Sequence, residues 1–404
     1  MRKQRSMQSL QRALHLLAVT AVLALPFAVP HAAGASTEDF PPYAKFVQIA
    51  VVAPLSGPQR QMGWDLSAGV QAAVDDANAS RGLTDFAWAV TSFDDQGDPG
   101  IAEQQAQFVL VDPRNAIVIG HLGGQETFLA ERVYHDAGIP LIIPTASLAA
   151  LTQQDYKNVF RICAPDTIEG ALAARYAARN LKPAKVAVIW EQNDYGNDTA
   201  TTFSNYAESG GSSSFKTQDF TVDVDLKDLK TTVDKVSAYG PDLIYVTGRG
   251  DLMAKVIEAL RKAGVTAPLM ASSTFYSDVL LQDKDFKAVD DGMIVGTCVP
   301  PVQFIPTAQQ FQQRFQAKNG RLSAYALFGY VAAQVAIDAA IQGRSVDKDS
   351  LIRQLDEGVF PTVIGQLSFR TNGDPSEPNL YFYKVDSGAF KYLGSALPNP
   401  AVLR

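Results

Sequence analysis

Two short polar loops between positions 115 and 147 carry groups suited to binding a small anion. The stretch Asn115–Ser147 predicts a strand, a helix and a second strand, and the loops Gly123–Gln125 and Thr145–Ser147 each follow a strand. A glycine turn that leads into a helix N-terminus offers backbone N–H groups to an anion, whereas the alternative is a tight turn and a helix cap. Since neighbouring strand ends in an open α/β sheet lie together, we expect both loops to contact one ligand.

The sequence lacks the common catalytic patterns. Of the histidines, only His121 and His135 follow the predicted leader described below, and their spacing is not that of metal ligands. The chain has no G-x-S-x-G nucleophile turn and no G-x-x-x-x-G-K-[ST] phosphate loop. We therefore predict a binding protein with no catalytic residues, no metal site and no cofactor.

The elements that position the two loops alternate between strand and helix. A first series begins with the apolar run Phe46–Ala53 and the helical pattern Trp64–Ser80, and a second series begins after Cys163. This alternation is typical of mostly parallel sheets with helices on both faces. Because 404 residues are too many for one compact core, we expect two lobes.

The predicted fold class is α/β, with two doubly wound parallel-sheet lobes joined by three hinge crossings. The predicted bounds are residues 45–162 and 299–366 for lobe 1, and residues 163–298 and 367–396 for lobe 2. The chain would then cross between lobes near Cys163, Cys298 and Leu367. Such a hinged clamshell binds its ligand between the lobes, which favours the closed state.

The first 35 residues have the pattern of an export signal. A basic segment ending at Arg12 precedes the apolar run Ala13–Val29, and Ala33–Ala35 fits a small-residue cleavage site. We predict a signal peptide over residues 1–35 and a periplasmic mature protein; the alternative is a retained anchor, for which the run is short. We expect no later run to span a bilayer.

Charge and cysteine content restrict the partners and the covalent chemistry. The net charge of −7 argues against nucleic acid and anionic membrane surfaces as partners. The two cysteines, Cys163 and Cys298, are far apart in sequence. In an exported protein they either pair or remain two buried thiols, and the sequence does not decide between these.

Several motifs along the chain together indicate a family. They are VVAPLSGP (Val51–Pro58), DDQGDP (Asp94–Pro99), VIGHL (Val118–Leu122), GIPLIIPTAS (Gly138–Ser147), DYG (Asp194–Gly196), RKAG (Arg261–Gly264) and GQLSF…NGD (Gly365–Asp374). In this order and spacing, the sequence resembles the periplasmic leucine/isoleucine/valine-binding protein family, the solute receptors of ABC importers. The resemblance covers about residues 46 to 393 and implies a type I periplasmic binding protein clamshell.

The resemblance also implies ligand-binding roles. The loop that matches Thr145, Ala146 and Ser147 holds the α-carboxylate and ammonium groups of the ligand in that family, with Ser147 at the hydroxyl position. Tyr195 matches the aromatic residue of the second lobe that closes over the ligand. Gly124 stands where amino-acid binders carry a serine that helps to hold the carboxylate, and its backbone amide remains available.

Two departures concern charge. Arg249 replaces an aromatic residue of the second lobe; its guanidinium either binds a ligand carboxylate in a bidentate manner or lies solvated at the rim. Ser273 stands where amino-acid binders place a glutamate against the ammonium group. Without that carboxylate a buried cation would be poorly balanced, unless Asp194 or Asp251 replaces it. These departures favour an organic acid over a branched-chain amino acid without excluding amino acids.

Two further departures concern the first lobe. Met62 replaces an aromatic residue of the side-chain pocket, and the nearby Trp64 is either a pocket wall or the first core residue of its helix. The disulfide that the family has in this lobe has no counterpart, because Gly97 and Gly123 occupy its positions.

These observations predict an exported receptor of an ABC importer, monomeric and not an enzyme. Its expected partners are a small amino acid or organic carboxylate and a membrane permease. The alternative is a periplasmic ligand sensor on the same fold that is not coupled to transport.

Overall fold

The computed structural model describes residues 45–80, 86–209, 215–283, 286 and 292–398. The predicted signal peptide lies outside these residues.

The first sheet contains five parallel strands. They are β1 (Lys45–Ala53), β2 (Phe86–Asp94), β3 (Asn115–Gly120), β4 (Leu141–Ile143) and β5 (Val159–Arg161), in the order β2-β1-β3-β4-β5. Alternate residues of β1 pack on opposite faces, Ile49 and Val51 in one core and Ala50 and Val52 in another. The strands are therefore apolar throughout, as expected of a parallel sheet that is covered on both sides.

Three helices follow the first three strands. They are α1 (Arg60–Ala79), α2 (Pro99–Val109) and α3 (Gly124–Asp136). On α1, Leu66, Val70 and Ala73 are buried at helical spacing against the sheet.

The second sheet belongs to the second series of the chain. Its parallel strands are β6 (Lys185–Glu191), β7 (Lys216–Val222), β8 (Leu243–Thr247), β9 (Leu269–Ala271) and β10 (Ile294–Thr297). The helices of this series are α4 (Asp166–Tyr176), α5 (Asp194–Ser209), α6 (Leu229–Tyr239), α7 (Gly250–Lys262) and the short α8 (Asp278–Gln282). The same strand–helix unit has thus formed twice in one chain.

The C-terminal region contributes to both halves. Its elements are α9 (Pro306–Asn319), α10 (Ala324–Gly343), α11 (Lys348–Glu357), the hairpin β11 (Phe360–Thr362) and β12 (Gly365–Leu367), β13 (Tyr381–Asp386) and β14 (Ala389–Ser395). The helices pack in the core of the first sheet. The last two strands are antiparallel and complete a seven-stranded sheet with the order β14-β13-β10-β9-β8-β6-β7. We call each sheet with the helices packed on it the first and the second lobe.

The helix α10 is an apolar core helix. By length and composition alone it could cross a membrane, contrary to the expectation from sequence, but most of it is buried inside the protein. It crosses α1 closely at two glycines, since a Cβ on Gly69 would lie 2.0 Å from the carbonyl oxygen of Ala326, and one on Gly329 would lie 2.3 Å from that of Leu66. Its apolar composition is explained by this packing.

The third crossing lies later in the chain than the predicted position near Leu367. Phe369 packs against Phe160 of the first lobe, with ring centroids 5.2 Å apart, and the backbone N–H of Arg161 donates to the carbonyl oxygen of Gly373 at 2.9 Å. The chain therefore leaves the first lobe only after Asp374. These contacts join residues more than 200 positions apart, so no local pattern indicates them.

The first two crossings are covalently joined. Cys163 and Cys298 form a disulfide with a Cα–Cα distance of 5.8 Å. The sequence left open whether these cysteines pair or remain buried thiols, and in the structure they pair.

Candidate functional site

A cavity of about 450 Å³ lies between the two lobes. The first lobe contributes the loops after β3 and β4 and the start of α10, and the second lobe contributes the first turns of α4 and α5. The crossing segments contribute the disulfide and the residues that follow β10. A cleft that both lobes line is suited to a ligand that contacts both.

The structure brings seven of the eight predicted site residues to this cavity. They are Gly124, Thr145, Ala146, Ser147, Tyr195, Arg249 and Ser273. The exception is Trp64, which is 50% exposed and neither lines the cavity nor enters the core. Met62 lines the cavity instead, because residues two apart on a helix point about 200° apart. Both sequence-based alternatives for Trp64 are therefore wrong.

The two loops of the first lobe touch each other. Gly123 precedes α3 in extended backbone, and Gly124 is the first residue of that helix. A Cβ on Gly124 would lie 2.8 Å from the Cβ of Leu148, so only glycine allows this approach. The carboxylate of Glu126, in the first turn of α3, lies close to Gly123 and accepts a hydrogen bond from its own backbone N–H. The amides of Gly124 and Gln125, at the cavity, are the ones that the helix start offers to the cleft.

A buried histidine supports the first of these loops from below. His121 is fully buried; its Nδ1 is hydrogen-bonded to Asp95 Oδ2 at 2.7 Å and its Nε2 to the hydroxyl of Tyr134 at 3.2 Å. These contacts bind the segment after β3 to the residue that follows β2 and to helix α3. His121 thus acts in packing and support, and the cavity does not reach it.

In the second lobe, Glu169 holds Ser273 and Tyr195 together. Its carboxylate accepts hydrogen bonds from the Ser273 N–H (2.7 Å), the Ser273 hydroxyl (3.0 Å) and the Tyr195 hydroxyl (3.1 Å). Burial raises the pKa of Glu169, and the bonds from Ser273 and Tyr195 oppose that rise. An acid therefore lies directly behind the position of the missing glutamate.

Asp166, one turn before Glu169 on α4, is a buried acid that lines the cavity. It is 1% exposed, and within the described residues its carboxylate oxygens form no hydrogen bond of good geometry, although the Ser147 side chain lies close enough to stabilise the ionised form. Burial raises the pKa of Asp166 to about 7, and the negative charge of Glu169 adds to that rise, whereas Ser147 and Arg161 oppose it. Its backbone N–H donates to the Ser147 carbonyl oxygen at 2.9 Å, which places it beside the loop Thr145–Ser147.

Arg249 lies at the cavity, but its charge is already paired. Its Nε donates to Glu191 Oε1 at 2.8 Å, and its backbone N–H donates to Glu191 Oε2 at 2.7 Å. Glu191 is buried, whereas the Arg249 side chain is 51% exposed. The geometry favours a rim position for this guanidinium over a role as the main carboxylate ligand.

The remaining surface of the cavity is largely apolar. It includes Met62, Leu122, Tyr276, Val299, Tyr325 and Phe328. At the mouth, Gln125 of the first lobe donates from Nε2 to Asp194 Oδ2 of the second lobe at 2.8 Å. The cavity therefore combines an amide-rich end, an acidic wall and an apolar compartment.

No group of three acidic, histidine or cysteine side chains in the described part of the chain is arranged to hold a metal ion.

Comparison with known proteins decides the family. The model of the periplasmic binding protein family matches residues 47–389, which is most of the chain. The chain belongs to this family. This periplasmic binding protein is 28% identical over 344 residues to a Leu/Ile/Val-binding protein homologue of Brucella suis, covering 85% of this chain and 91% of that protein.

Solved structures have the same fold. A leucine-binding protein from Thermotoga maritima aligns with a TM-score of 0.76 at 21% identity, covering 86% of this chain and 98% of that one. A solute-binding protein of an ABC transporter from R. palustris, in complex with benzoate, aligns with a TM-score of 0.74 at 18% identity, covering 89% and 99%. At these identities the likeness concerns the fold alone.

These comparisons confirm three predictions about this periplasmic binding protein. It resembles the Leu/Ile/Val-binding proteins over most of its length, its fold is the two-sheet type I clamshell, and its relatives are solute-binding proteins and not enzymes. Sequence reasoning missed Asp166, Glu169 and Glu191. An acid in the first turn of a helix, such as Asp166, is a common feature and gives no separate signal for ligand binding.

Proposed function

We propose that this protein is an exported receptor of an ABC importer and binds a small α-amino acid with an apolar side chain between its lobes. It would deliver the ligand from the periplasm to a membrane permease, as a monomer. The observation that carries the choice of ligand is the buried carboxylate of Asp166, which lines the cavity and forms no direct ion pair within the described residues. It favours an amino acid over the organic acid that Arg249 and Ser273 suggested from sequence.

The carboxylate of the ligand would bind at the first-lobe loops. The start of α3 at Gly124 and the loop Thr145–Ser147 line one region of the cavity, and the side chain of Leu148 packs against Gly124. Free helix amides and a hydroxyl stabilise an anion without a cationic side chain.

The ammonium group of the ligand would pair with Asp166. A carboxylate that is nearly excluded from water and forms no direct ion pair is poorly stabilised as an anion, which is why its pKa rises. A ligand cation would stabilise the ionised form. Glu169, one helical turn further along α4 and behind the cavity wall, adds negative charge near Asp166, which would also favour a cation beside it.

The side chain of the ligand would occupy the apolar compartment. Met62, Tyr325 and Phe328 line it from the first lobe, and the disulfide and Val299 line it from the crossings. Apolar surface removed from water contributes about 25 cal/mol per Å², so a branched or aromatic side chain adds affinity here. The name of the Brucella relative is consistent with such ligands.

A thermal-shift panel on the protein from residue 36 onward tests the proposed ligand. The panel compares leucine, valine and phenylalanine with 4-methylpentanoate and benzoate, which carry a carboxylate but no ammonium group. At 100 times its Kd a ligand adds about 2.7 kcal/mol of stability, a shift of a few degrees. We expect this shift with amino acids; a shift with the plain carboxylates alone would refute the proposed ligand.

Transport is tested separately. Proteoliposomes that contain a candidate ABC permease from the same genome should take up the bound amino acid only when the receptor is added. Binding without any receptor-dependent uptake would instead favour the sensor alternative.

A further inference from the structure

Arg161 is the largest side chain among the fully buried residues of the described structure. It is the last residue of β5 and stands two positions before Cys163, at the first crossing. A fully buried guanidinium is costly unless charge and hydrogen bonds compensate it, so its partners are informative.

The guanidinium of Arg161 binds two other segments of the chain. Its Nη1 donates to the Leu148 carbonyl oxygen at 2.8 Å, and its Nη2 donates to Thr152 Oγ1 at 2.5 Å. Its Nε and Nη2 both donate to Asp374 Oδ1, at 3.0 and 2.6 Å. The Thr152 hydroxyl also donates to Asp374 Oδ1 at 2.8 Å, which closes the network.

Asp374 belongs to a turn that is docked tightly on β5. The Arg161 N–H donates to the Gly373 carbonyl oxygen, and Gly373 has φ +85, where a Cβ would lie 1.9 Å from the Val159 carbonyl oxygen. This turn contacts the first lobe shortly before the third crossing leads to β13. A movement of the third crossing would therefore change the position of Asp374.

The other partner, Leu148, belongs to the ligand loop, defined here as Thr145–Leu148. The side chain of Leu148 fills the space beside Gly124, and the preceding carbonyl, of Ser147, accepts from the Asp166 N–H at 2.9 Å. A shift of the Leu148 carbonyl would thus disturb the amide-rich end and the acidic wall of the cavity together.

We propose that Arg161 is a positioning residue that couples the ligand loop to the third crossing through Asp374. Bending of the crossing would move Asp374, and the guanidinium would transmit that movement to Leu148. The ligand loop would then have its binding geometry only while the turn at Asp374 is bound to β5 through Arg161. This inference rests on the proposed function, because it assigns a consequence for ligand binding.

The test uses Asp374→Asn, with Thr152→Val as a milder second variant and Asp112→Asn as the control. Asp112 forms an exposed ion pair with Arg114 on the first lobe, so the control removes the same kind of charge without touching the network. Spin labels on V111C and V224C, which are exposed on the first and second lobes, report the distance between lobes without ligand. Leucine is the probe for dissociation rate.

We expect a broader distance distribution and about tenfold faster leucine dissociation in both network variants, and neither change in the control. If Asp374→Asn fails to fold, Thr152→Val decides. Folded network variants with an unchanged distance distribution would overturn the inference, since a purely structural role lowers stability without altering the hinge. The distance readout needs no ligand, so failure of the proposed ligand and failure of this inference are distinguishable.

Discussion

At the residue scale, charge pairing determines which of the predicted site residues can take part in binding. Arg249 is conspicuous in the sequence, but Glu191, 58 positions away, already binds it. Asp166 looks like an ordinary acid at a helix start, yet it is a buried acid of the cavity that forms no direct ion pair within the described residues. Sequence locates the amide-rich loops because a glycine turn before a helix is a local pattern. It does not reveal which distant charges meet.

The raised pKa of Asp166 predicts a pH dependence of binding. Its pKa is about 7 in the protein without ligand, and only the ionised form pairs with an ammonium group. Leucine affinity should therefore rise from pH 5.5 to 8, with up to about tenfold change per pH unit below the pKa. Titration calorimetry at several pH values measures this slope.

The Asp166→Asn variant is the control for that slope. It keeps the size of the side chain and removes the titration, so affinity should be low and flat over the same pH range. A wild-type affinity that does not change between pH 5.5 and 8 would remove Asp166 from the site.

The same pKa shift has a defined effect on stability. A carboxyl group that binds its proton more tightly in the folded state than in the unfolded state, where its pKa is about 3.9, contributes stability below that lower value. This contribution is lost as pH rises through about 7. The ligand-free protein should thus gain stability from Asp166→Asn at pH 8, as measured by urea unfolding.

At the element scale, the start of α3 depends on close contact between two loops. Replacing Gly124 by alanine would place a Cβ 2.8 Å from the Cβ of Leu148 and push the ligand loop away. We expect about a tenfold or greater loss of leucine affinity with little loss of stability, since the change lies at the cavity surface. Alanine at Gly138, where a Cβ would meet no atom within 4 Å but φ is +63, is a comparison variant that should lose some stability and keep affinity. Equal affinity in both variants would argue against this contact.

The strands and helices were predictable because their apolar residues follow local periods of strand and helix. The third crossing was not, because its position depends on the contact of Asp374 with Arg161, 213 residues apart in sequence. The sequence also did not predict that Met62 lines the cavity and Trp64 does not. That outcome depends on where α1 begins, because the start of a helix determines which residues point into the cleft.

At the scale of the whole molecule, the disulfide joins two of the crossings between lobes. Replacing both Cys163 and Cys298 by serine should lower the free energy of unfolding by about 2–5 kcal/mol, because the bond closes a long loop of the unfolded chain. Thermal unfolding with and without reductant measures this. Reductant should lower the Tm of the wild type and leave that of the double variant unchanged; equal Tm values throughout would show that the bond contributes no stability.

The central claim is that one cavity between the lobes binds both charges of an amino acid. Titration calorimetry of leucine and 4-methylpentanoate, which differ in the ammonium group, against the wild type and Asp166→Asn tests it most directly. We predict that leucine binds the wild type at least about a hundredfold more tightly than 4-methylpentanoate, a difference of about 2.7 kcal/mol, and that the difference is largely lost in Asp166→Asn. Equal affinity of the two compounds for the wild type would contradict the account.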